Sequence, residues 1–225
     1  MYFLIWLLCI ITAYSYHTTD EIIQIASQQP SYMYDDILVV DLNAHLPYDT
    51  LIVCNEHARE LVTGELALKF ITSTKTKRRV TIIPVLNVWG RKMAETTRPC
   101  LRKNKNGVDT NRNFGSGNHH YRLRGEEYEG PYPFSEKESQ LIKSILDQGI
   151  KQYINIHSGE KSIYIPYDSK RDQPPLYSNR LFKLWKFRKL CKGCKIGQAS
   201  KLAYKAYGTS VDYATDIGVP NAYTF

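Results

Sequence analysis

The sequence predicts a layered α/β domain, and two observations carry that prediction. Short runs of β-branched and apolar residues alternate along the chain with stretches whose apolar residues have helical spacing. The 225 residues contain neither an internal repeat nor a low-complexity linker, and a chain of this length can bury one substantial core. Because such alternation is typical of layered α/β domains, no second domain is needed.

The first half of the chain predicts two helices and three strands. Residues 20–26 predict a short helix with Asp20 as its cap, and residues 61–72 predict an amphipathic helix. The predicted buried strands are the apolar runs at 37–40, 50–54 and 80–88. Pro84 indicates an irregularity in the last of these runs.

The second half begins with a long polar segment, residues 94–132, which contains Gly and Pro and is interpreted as ordered loops. Loops of that length in a compact domain usually serve function. A capping box at Ser135–Glu138 then opens a predicted helix over 136–148. The remaining predicted elements are a strand over 153–156 that ends on His157, a basic amphipathic helix over 176–190 and a last strand over 222–225.

The first fifteen residues have the pattern of a secretory signal peptide. An apolar run, residues 3–12, is followed by Ala13-Tyr14-Ser15, the small-x-small pattern of a cleavage site. The run is too short to span a bilayer, which takes about 20 apolar residues. We therefore expect a signal peptide over 1–15, a single domain over 16–225, and a location outside the cell or in the lumen of the secretory or lysosomal-type pathway. The alternative is a buried first strand or helix.

Four cysteines remain if cleavage follows Ser15: Cys54, Cys100, Cys191 and Cys194. An even number in an oxidising compartment permits two disulfides but does not give their pairing. For Cys191-Lys192-Gly193-Cys194 we expect a local disulfide or separate pairings, because the strand-then-helix context of a redox pair is missing. Cys54 lies in an apolar run and is equally well interpreted as a buried free thiol.

The net charge of +8 permits an anionic partner but identifies none. The basic helix is the strongest candidate for a nucleic-acid or membrane contact, since Trp185 and Phe187 lie among its lysines. We expect instead that its apolar residues pack on the sheet while a basic face is solvated. Those apolar residues are Leu181, Leu184, Trp185 and Leu190. The expected partners exclude nucleic acid and a stable membrane anchor.

Two histidines and a glutamate form a candidate metal site. His57 and Glu60 follow the strand 50–54, and His157 ends the strand 153–156. Open α/β sheets build their sites at the carboxyl ends of strands, and two histidines with a glutamate are a peptidase-type ligand set for catalytic zinc. The plain alternative is a chance His-x-x-Glu pair together with a core histidine. A catalytic zinc requires all three ligands.

Arginine and asparagine side chains are concentrated in the long polar segment. Arg102 lies upstream of Asn111 and Arg112. A guanidinium group binds a carboxylate through two parallel hydrogen bonds, so these residues are suited to holding one. The alternative is a solvated basic loop without a ligand.

Taken together, these motifs resemble the zinc carboxypeptidase family of the carboxypeptidase A/B type, from about Tyr16 to Phe225. That resemblance implies a mixed β-sheet flanked by helices on both faces. The motifs occur in the family's order: His57-Ala58-Arg59-Glu60, Arg102-Lys103-Asn104, residues 107–114 (GVDTNRNF), residues 128–136 (YEGPYPFSE), Ile156-His157-Ser158, and Tyr204 before residues 208–213 (GTSVDY).

The resemblance also implies roles. It makes the chain a metallocarboxypeptidase, a zinc metalloprotease and hydrolase that removes the C-terminal residue from peptides or proteins by proteolysis with one Zn²⁺ per chain. His57, Glu60 and His157 match the metal ligands, and Arg102 matches the arginine that polarises the scissile carbonyl. The matches to substrate-binding positions are Asn111 and Arg112 for the terminal carboxylate, Tyr204 for the mobile tyrosine, Arg59 for the groove and Ser158 for backbone contact.

One expected residue falls outside the sequence. The family's general-base glutamate follows a Thr-Phe pair, and Thr224-Phe225 are the last two residues here. We therefore expect a domain without the end of its last strand and its final helix. Two readings are open: a fragment of an active enzyme, or a non-catalytic zinc-containing binder of peptide C-termini.

The preferred C-terminal residue is also open. Val211 matches the pocket-floor position, where an apolar residue favours aliphatic or aromatic substrates. Asp168 matches the position of an acid that selects Lys or Arg in regulatory members of the family. A carboxylate facing the pocket would select a cation, whereas Asp168 at a surface turn would have no such role.

Overall fold

A mixed sheet of eight strands organises the part of the chain that the structure describes, residues 16–115 and 125–225. This structure is a computed structural model. The predicted signal peptide lies outside the described residues. The strands are β1 (Ser31–Tyr34), β2 (Ile37–Leu42), β3 (Tyr48–Val53), β4 (Arg79–Ile83), β5 (Gln152–Asn155), β6 (Ser162–Ile165), β7 (Lys195–Gln198) and β8 (Asn221–Thr224).

Seven α-helices and two 3₁₀ turns connect these strands within the described residues. The α-helices are α1 (Thr19–Ala26), α2 (Val62–Ser73), α3 (Val88–Thr96), α4 (Lys137–Leu146), α5 (Tyr177–Trp185), α6 (Ala199–Leu202) and α7 (Ser210–Asp216). The 3₁₀ turns are Thr110–Arg112 and Lys186–Lys189.

The strand order across the sheet is β1-β2-β4-β3-β5-β8-β6-β7. The inner strands β4, β3, β5 and β8 run parallel, while β1, β2 and β6 each add an antiparallel pairing. Every residue of β2 is buried, as are the last four of β3. Since side chains alternate between the two faces of a strand, both faces of the sheet are covered by helices and loops. The expected mixed α/β fold is confirmed.

Parallel pairing aligns the carboxyl ends of the central strands. Val53 of β3 pairs with Asn155 of β5, and Asn155 pairs with Thr224 of β8. Two further backbone bonds extend this alignment, from Phe225 N to Asn155 O (3.0 Å) and from His157 N to Phe225 O (2.7 Å). The segments that follow β3 and β5 therefore emerge at one edge of the sheet.

Three local predictions are wrong because other side chains determine the element boundaries. The strand predicted over 80–88 ends at Ile83, since Asn87 Oδ1 accepts from the backbone N–H of Gly90 (2.9 Å) and α3 begins. Thr18, and not Asp20, caps α1 through a capping box with Glu21. Ser135 does not cap α4, because its hydroxyl donates to Glu136 Oε1 (2.6 Å).

The basic amphipathic helix packs only in part as predicted. Leu184 is buried with Ile163, Ile165 and Tyr223, and Leu181 packs against that cluster. Trp185 and Leu190 are 61% and 83% exposed, so the prediction is wrong for these two side chains. The helical repeat of α5 places Trp185 on the outer face of the helix. Leu190 lies after the 3₁₀ turn Lys186–Lys189, where the α-helical repeat has already ended.

The Cys191–Cys194 pair forms a local disulfide, which confirms one of the two expected arrangements. Cys54 is buried and free, and Cys100 is exposed and free. Burial raises the pKa of the Cys54 thiol to about 12, which makes it unreactive at neutral pH. Among the described residues, no helix has the length and apolarity that crossing a bilayer requires.

Candidate metal centre and adjoining cleft

Two of the three proposed metal ligands lie in the turn between β3 and α2. His57 and Glu60 precede the first residue of α2, Val62, so they lie in the turn and not on the helix. The turn is fixed by backbone bonds from Glu60 N to His57 O (3.2 Å) and from Thr63 N to Glu60 O (3.1 Å). It directs both side chains to the same point.

The third proposed ligand, His157, reaches that point from the end of β5. His57 Nδ1 lies 2.8 Å from Glu60 Oε1 and 3.1 Å from His157 Nδ1, and His157 Nδ1 lies 3.0 Å from Glu60 Oε2. One ligand atom from each residue lies within 4.8 Å of the other two. Two imidazole nitrogens and a carboxylate oxygen, converging from buried or half-buried side chains, fit the protein ligands of a zinc ion.

A buried carboxylate, Asp109, orients this centre. Asp109 Oδ1 lies 3.2 Å from His57 Nε2, and its Oδ2 accepts from Arg102 Nε at 2.8 Å. Metal-binding histidines commonly donate their second ring N–H to a carboxylate, which fixes the tautomer. Asp109 would therefore leave Nδ1 of His57 free for a metal ion, and it holds Arg102 beside the three proposed ligands. Sequence reasoning assigned Asp109 no role, although its place three residues before Arg112 was a usable signal.

Electrostatics in the centre favour charged forms despite burial. Burial lowers the pKa of His57, but the carboxylates of Glu60 and Asp109 outweigh it and raise that pKa to about 9. Burial raises the pKa of Glu60, and the two histidines outweigh it, so that pKa lies well below its usual range. The pKa of Asp109 is also lowered: burial opposes the shift, and Arg112, His57 and Arg102 produce it. Both carboxylates are thus ionised at neutral pH.

A second buried carboxylate, Glu56, lies beneath His157. Glu56 is unexposed, and its Oε2 accepts from Asn155 Nδ2 (2.6 Å) and lies 3.7 Å from His157 Nε2. Asn111 Nδ2 is also 3.4 Å from that ring nitrogen, but Asn111 Oδ1 accepts from Ser210 N (2.9 Å), which orients the amide as a donor. Glu56 therefore places a carboxylate oxygen near Nε2 at ion-pair distance, beyond a direct hydrogen bond, and burial raises the pKa of this carboxyl. Sequence reasoning missed it.

A cavity of about 210 Å³ opens directly on the metal centre. Besides the three proposed ligands, its walls include six of the residues predicted to act on substrate: Arg102, Asn111, Arg112, Ser158, Asp168 and Tyr204. Arg59 lies outside this cavity and lines an adjoining cleft of about 400 Å³ that shares Arg102 and Tyr204. The sequence-predicted carboxylate-binding side chains and metal ligands therefore line one open cavity.

The guanidinium of Arg112 is held by its neighbours at the cavity wall. Arg112 Nη2 donates to Glu127 Oε1 (2.9 Å) and to the hydroxyl of Tyr204 (3.0 Å). Burial lowers the pKa of Arg112, but Asp109, Tyr204 and Glu127 outweigh it and raise that pKa. Glu127 thus offers this guanidinium the same carboxylate chemistry that a peptide C-terminus would offer.

Asp168 lines the cavity where Ala199, Ala206 and Thr209 also contribute to its wall. The Oδ1 atom of Asp168 is buried and has no hydrogen-bond partner among the described residues. Burial and the nearby Asp212 raise the pKa of Asp168 well above its usual range. Val211, by contrast, is 1% exposed in the main core and does not line the cavity.

Comparison with known proteins identifies zinc carboxypeptidases among the relatives of this chain. The family model for zinc carboxypeptidases matches residues 21–225. The chain is 29% identical to rat carboxypeptidase A2 over 204 residues, which covers 75% of this chain and 48% of that protein. It is 30% identical to rat carboxypeptidase B2 over 210 residues, covering 77% and 49%. The chain therefore spans about half the length of the relatives it matches.

Solved structures also resemble this chain. Bovine thrombin-activatable fibrinolysis inhibitor, in complex with tick carboxypeptidase inhibitor, superposes with a TM-score of 0.76 at 25% identity over 94% of this chain and 86% of that chain. Carboxypeptidase A from Helicoverpa armigera gives a TM-score of 0.79 at 21% identity over 94% and 64%, which shows a shared fold. With nine-tenths of the chain matched by the family model, this protein belongs to the zinc carboxypeptidase family.

Proposed function

We propose that this protein acts on the C-termini of peptides or proteins as a zinc-dependent carboxypeptidase. The observation that carries the proposal is the shared cavity, in which His57, Glu60 and His157 adjoin Arg102 and Arg112. A metal-dependent site that cleaves the last peptide bond combines a metal with an anchor for the terminal carboxylate one residue away. The cavity supplies side chains for both.

Different residues of the chain would bind the zinc ion and the substrate. His57, Glu60 and His157 would hold the zinc ion, which when bound supplies a Lewis acid and a water of lowered pKa. Arg102, held by Asp109, presents its guanidinium to the carbonyl oxygen beside the metal, where it stabilises developing negative charge. Arg112 and the Asn111 amide bind the terminal carboxylate through charge-assisted hydrogen bonds.

Tyr204 supports the same reading through its position. Tyr204 is 59% exposed, and its hydroxyl accepts a hydrogen bond from Arg112 Nη2 (3.0 Å). A substrate carboxylate on Arg112 would take the place of Glu127 and come within reach of that hydroxyl. The tyrosine would then cover the bound residue and exclude water from it.

Proton transfer is assigned by resemblance to the position after Phe225, so none of the described residues is proposed for it. Binding and turnover therefore make separate tests. Binding by this chain with hydrolysis supports the enzyme. Binding without hydrolysis by residues 1–225 is expected under either reading, so the transcript beyond Phe225 separates them. A Glu codon directly after Phe225 supports the enzyme, and a stop codon supports the alternative, a non-catalytic zinc-containing binder of C-termini.

We further propose a preference for Lys or Arg at the substrate's C-terminus. The buried, unpartnered Oδ1 of Asp168 would accept a hydrogen bond from a cationic side chain entering the cavity. A cation would also favour the ionised form that burial and Asp212 now disfavour. Val211 is screened from the cavity and offers no competing apolar wall.

The experiment compares three short peptides on zinc-loaded protein by calorimetry, with products followed by mass spectrometry. The peptides end in Arg, in Leu, and in Arg amide. We expect the free acid to bind about 10–100-fold tighter than the amide, as a few charge-assisted hydrogen bonds provide. Arg112→Gln should erase that difference, and the control Arg98→Gln, an exposed arginine outside the cavity, should keep it.

Two outcomes separate the parts of the proposal. Equal affinity for acid and amide would contradict recognition of C-termini altogether. Equal affinity for Arg and Leu would contradict only the basic preference, which Asp168→Asn is expected to abolish.

We also propose that the protein enters the secretory pathway and that residues 16–225 form its mature domain. The pattern of residues 1–15 supports this proposal, as does the Cys191–Cys194 disulfide, a bond that persists in oxidising compartments. N-terminal sequencing of protein recovered from the medium of expressing cells should begin at Tyr16. Retention of Met1 would contradict it.

A further inference from the structure

One continuous stretch of the chain contains basic residues and no acidic ones. Residues 173–211 contain nine Lys or Arg and no Asp or Glu. Of the 30 basic and 22 acidic residues in the whole sequence, the remaining 186 positions therefore hold 21 basic and 22 acidic ones. A second basic stretch, residues 66–105, holds 11 basic residues and one acidic residue, so charge alone does not single out residues 173–211. What distinguishes residues 173–211 is that exposed aromatic side chains on α5 and the following 3₁₀ turn accompany their cations.

The same stretch exposes large apolar side chains. On the outer face of α5, Phe182 and Trp185 are 62% and 61% exposed, one helical turn apart, while Leu184 on the inner face is buried. Lys186 Nζ lies 5.0 Å from the centre of the Phe182 ring. The next turn adds Phe187 and Leu190, the latter 83% exposed. The basic-aromatic surface is defined by Phe182, Trp185, Lys186, Phe187, Arg188 and Leu190.

Fold stability does not account for this surface. The inner residues of α5 already join Ile163, Ile165 and Tyr223 in a core cluster. Within residues 16–115 and 125–225, Phe182, Trp185 and Leu190 lie outside that cluster, while Phe187 lines a cavity beside Tyr223 and Phe225. Exposed tryptophan, phenylalanine and leucine beside lysine and arginine are instead typical of segments that lie in a membrane interface. The rings and aliphatic groups enter the acyl boundary, and the cations face the headgroups.

We propose that the basic-aromatic surface binds reversibly to an anionic lipid bilayer. Charge complementarity argues for this occupant, because residues 173–211 contain no carboxylate, and Glu160 from outside the stretch pairs with Lys195 (2.5 Å), which is not part of the basic-aromatic surface. A single-stranded nucleic acid would use the same cations but would stack on rings, and the most exposed residue, Leu190, offers no stacking face. The contact is peripheral and does not require a spanning helix.

Vesicle co-sedimentation of the full chain tests the proposal. The probes are phosphatidylcholine vesicles with and without 30 mole per cent phosphatidylserine, in low salt and in high salt. Each Lys or Arg near an anionic leaflet strengthens binding about fivefold. The double variant Lys186→Glu with Arg188→Glu should therefore bind phosphatidylserine vesicles at least about tenfold more weakly. Its matched control reverses two exposed lysines on another surface, Lys75→Glu with Lys77→Glu, and alters total charge equally.

A second pair of variants tests the apolar side chains of the basic-aromatic surface. Trp185→Ser should weaken vesicle binding about tenfold, as removal of one inserted ring does. Leu66→Ser, at a side chain that is 50% exposed on α2, should leave it unchanged. Thermal unfolding of all four variants shows whether each retains the fold.

The proposal is supported by binding that needs phosphatidylserine, weakens in high salt and is lost only in the two variants of the basic-aromatic surface. It is overturned if the full chain ignores phosphatidylserine, or if both charge-reversal pairs lose binding equally. It is also overturned if a free oligonucleotide competes fully while Trp185→Ser has no effect, which identifies a general polyanion site. A dimer in size-exclusion chromatography that Trp185→Ser dissolves would identify a second copy of the chain as the occupant instead.

Discussion

Replacing Asp109 with asparagine tests how the metal centre is held together. Asp109 is unexposed, and its two oxygens face His57 Nε2 (3.2 Å) and Arg102 Nε (2.8 Å). Asn keeps the shape but removes the charge, and its amide N–H₂ must face one of these two donors. Loss of such a carboxylate behind a metal-binding histidine costs about 10–100-fold in metal affinity. That range corresponds to about 1.4–2.7 kcal/mol.

The same substitution carries a separate cost in folding. Removing one partner of a buried ion pair destabilises a protein by about 3–5 kcal/mol, because the other charge stays buried without compensation. The expected readouts of Asp109→Asn are a weaker zinc Kd, measured by competition with a chromophoric chelator, and a lower free energy of unfolding in urea for the zinc-free chain.

The matched control is Asp147→Asn, which removes an exposed carboxylate paired with Lys143 at 2.5 Å. A surface pair of this kind contributes less than about 1 kcal/mol, and it lies on α4 and the residue after it, away from the metal ligands. A zinc Kd for Asp109→Asn within twofold of the unchanged chain would refute the orienting role, whatever happens to stability.

Three further predictions concern the carboxylates around the cavity. Glu56→Gln should weaken zinc binding by up to about tenfold, because it removes a buried carboxylate 3.7 Å from His157 Nε2, and an unchanged Kd in the same chelator assay would exclude a role for Glu56. Glu127→Gln should tighten binding of peptide carboxylates several-fold in calorimetry, since Glu127 occupies Arg112 now, and weaker binding would show that Glu127 positions the arginine instead. The stability of Asp168→Asn relative to the unchanged zinc-free chain should increase as pH rises from about 4 to 7. Burial and Asp212 raise the pKa of Asp168 in the folded chain only, so the unchanged chain loses folding stability over this range and the variant does not. Parallel urea-unfolding stabilities across that pH range would contradict the last prediction.

The fold and the residues brought to the cavity could be predicted from sequence because several local signals agree. The β-branched run 50–54 and the strand ending on His157 place their following residues at one edge of a parallel sheet. The alternation of strands and helices gave the fold class, and the order of motifs gave the family resemblance. His57, Glu60 and His157 then converge because β3 and β5 are paired neighbours.

Some features could not be predicted because they depend on contacts between distant segments. Glu56 and Asn155 are 99 positions apart, and each alone resembles an ordinary polar residue near a strand end. The start of α3 depends on the Asn87 side chain, which overrides the β-branched run before it. Whether Trp185 faces inward or outward depends on the rotation of α5 against the sheet, which helical periodicity alone left ambiguous.

The cavity pairing of Arg112 with Glu127 is a further feature of this kind. The two residues are 15 positions apart in a long loop region whose course no periodic pattern specifies. Sequence could propose that Arg112 binds a carboxylate, but not that the chain itself supplies one. Because of this pairing, a substrate carboxylate has to compete with Glu127 for Arg112.

Metal content tests the central claim most directly. The folded chain, dialysed against buffer with trace zinc and measured by mass spectrometry of the element, should hold about one zinc per molecule. His57→Ala and His157→Ala should each lose it while retaining the helical circular dichroism signal, and His45→Ala, a histidine outside the cavity, should keep it. Normal zinc content in both ligand variants would contradict the account.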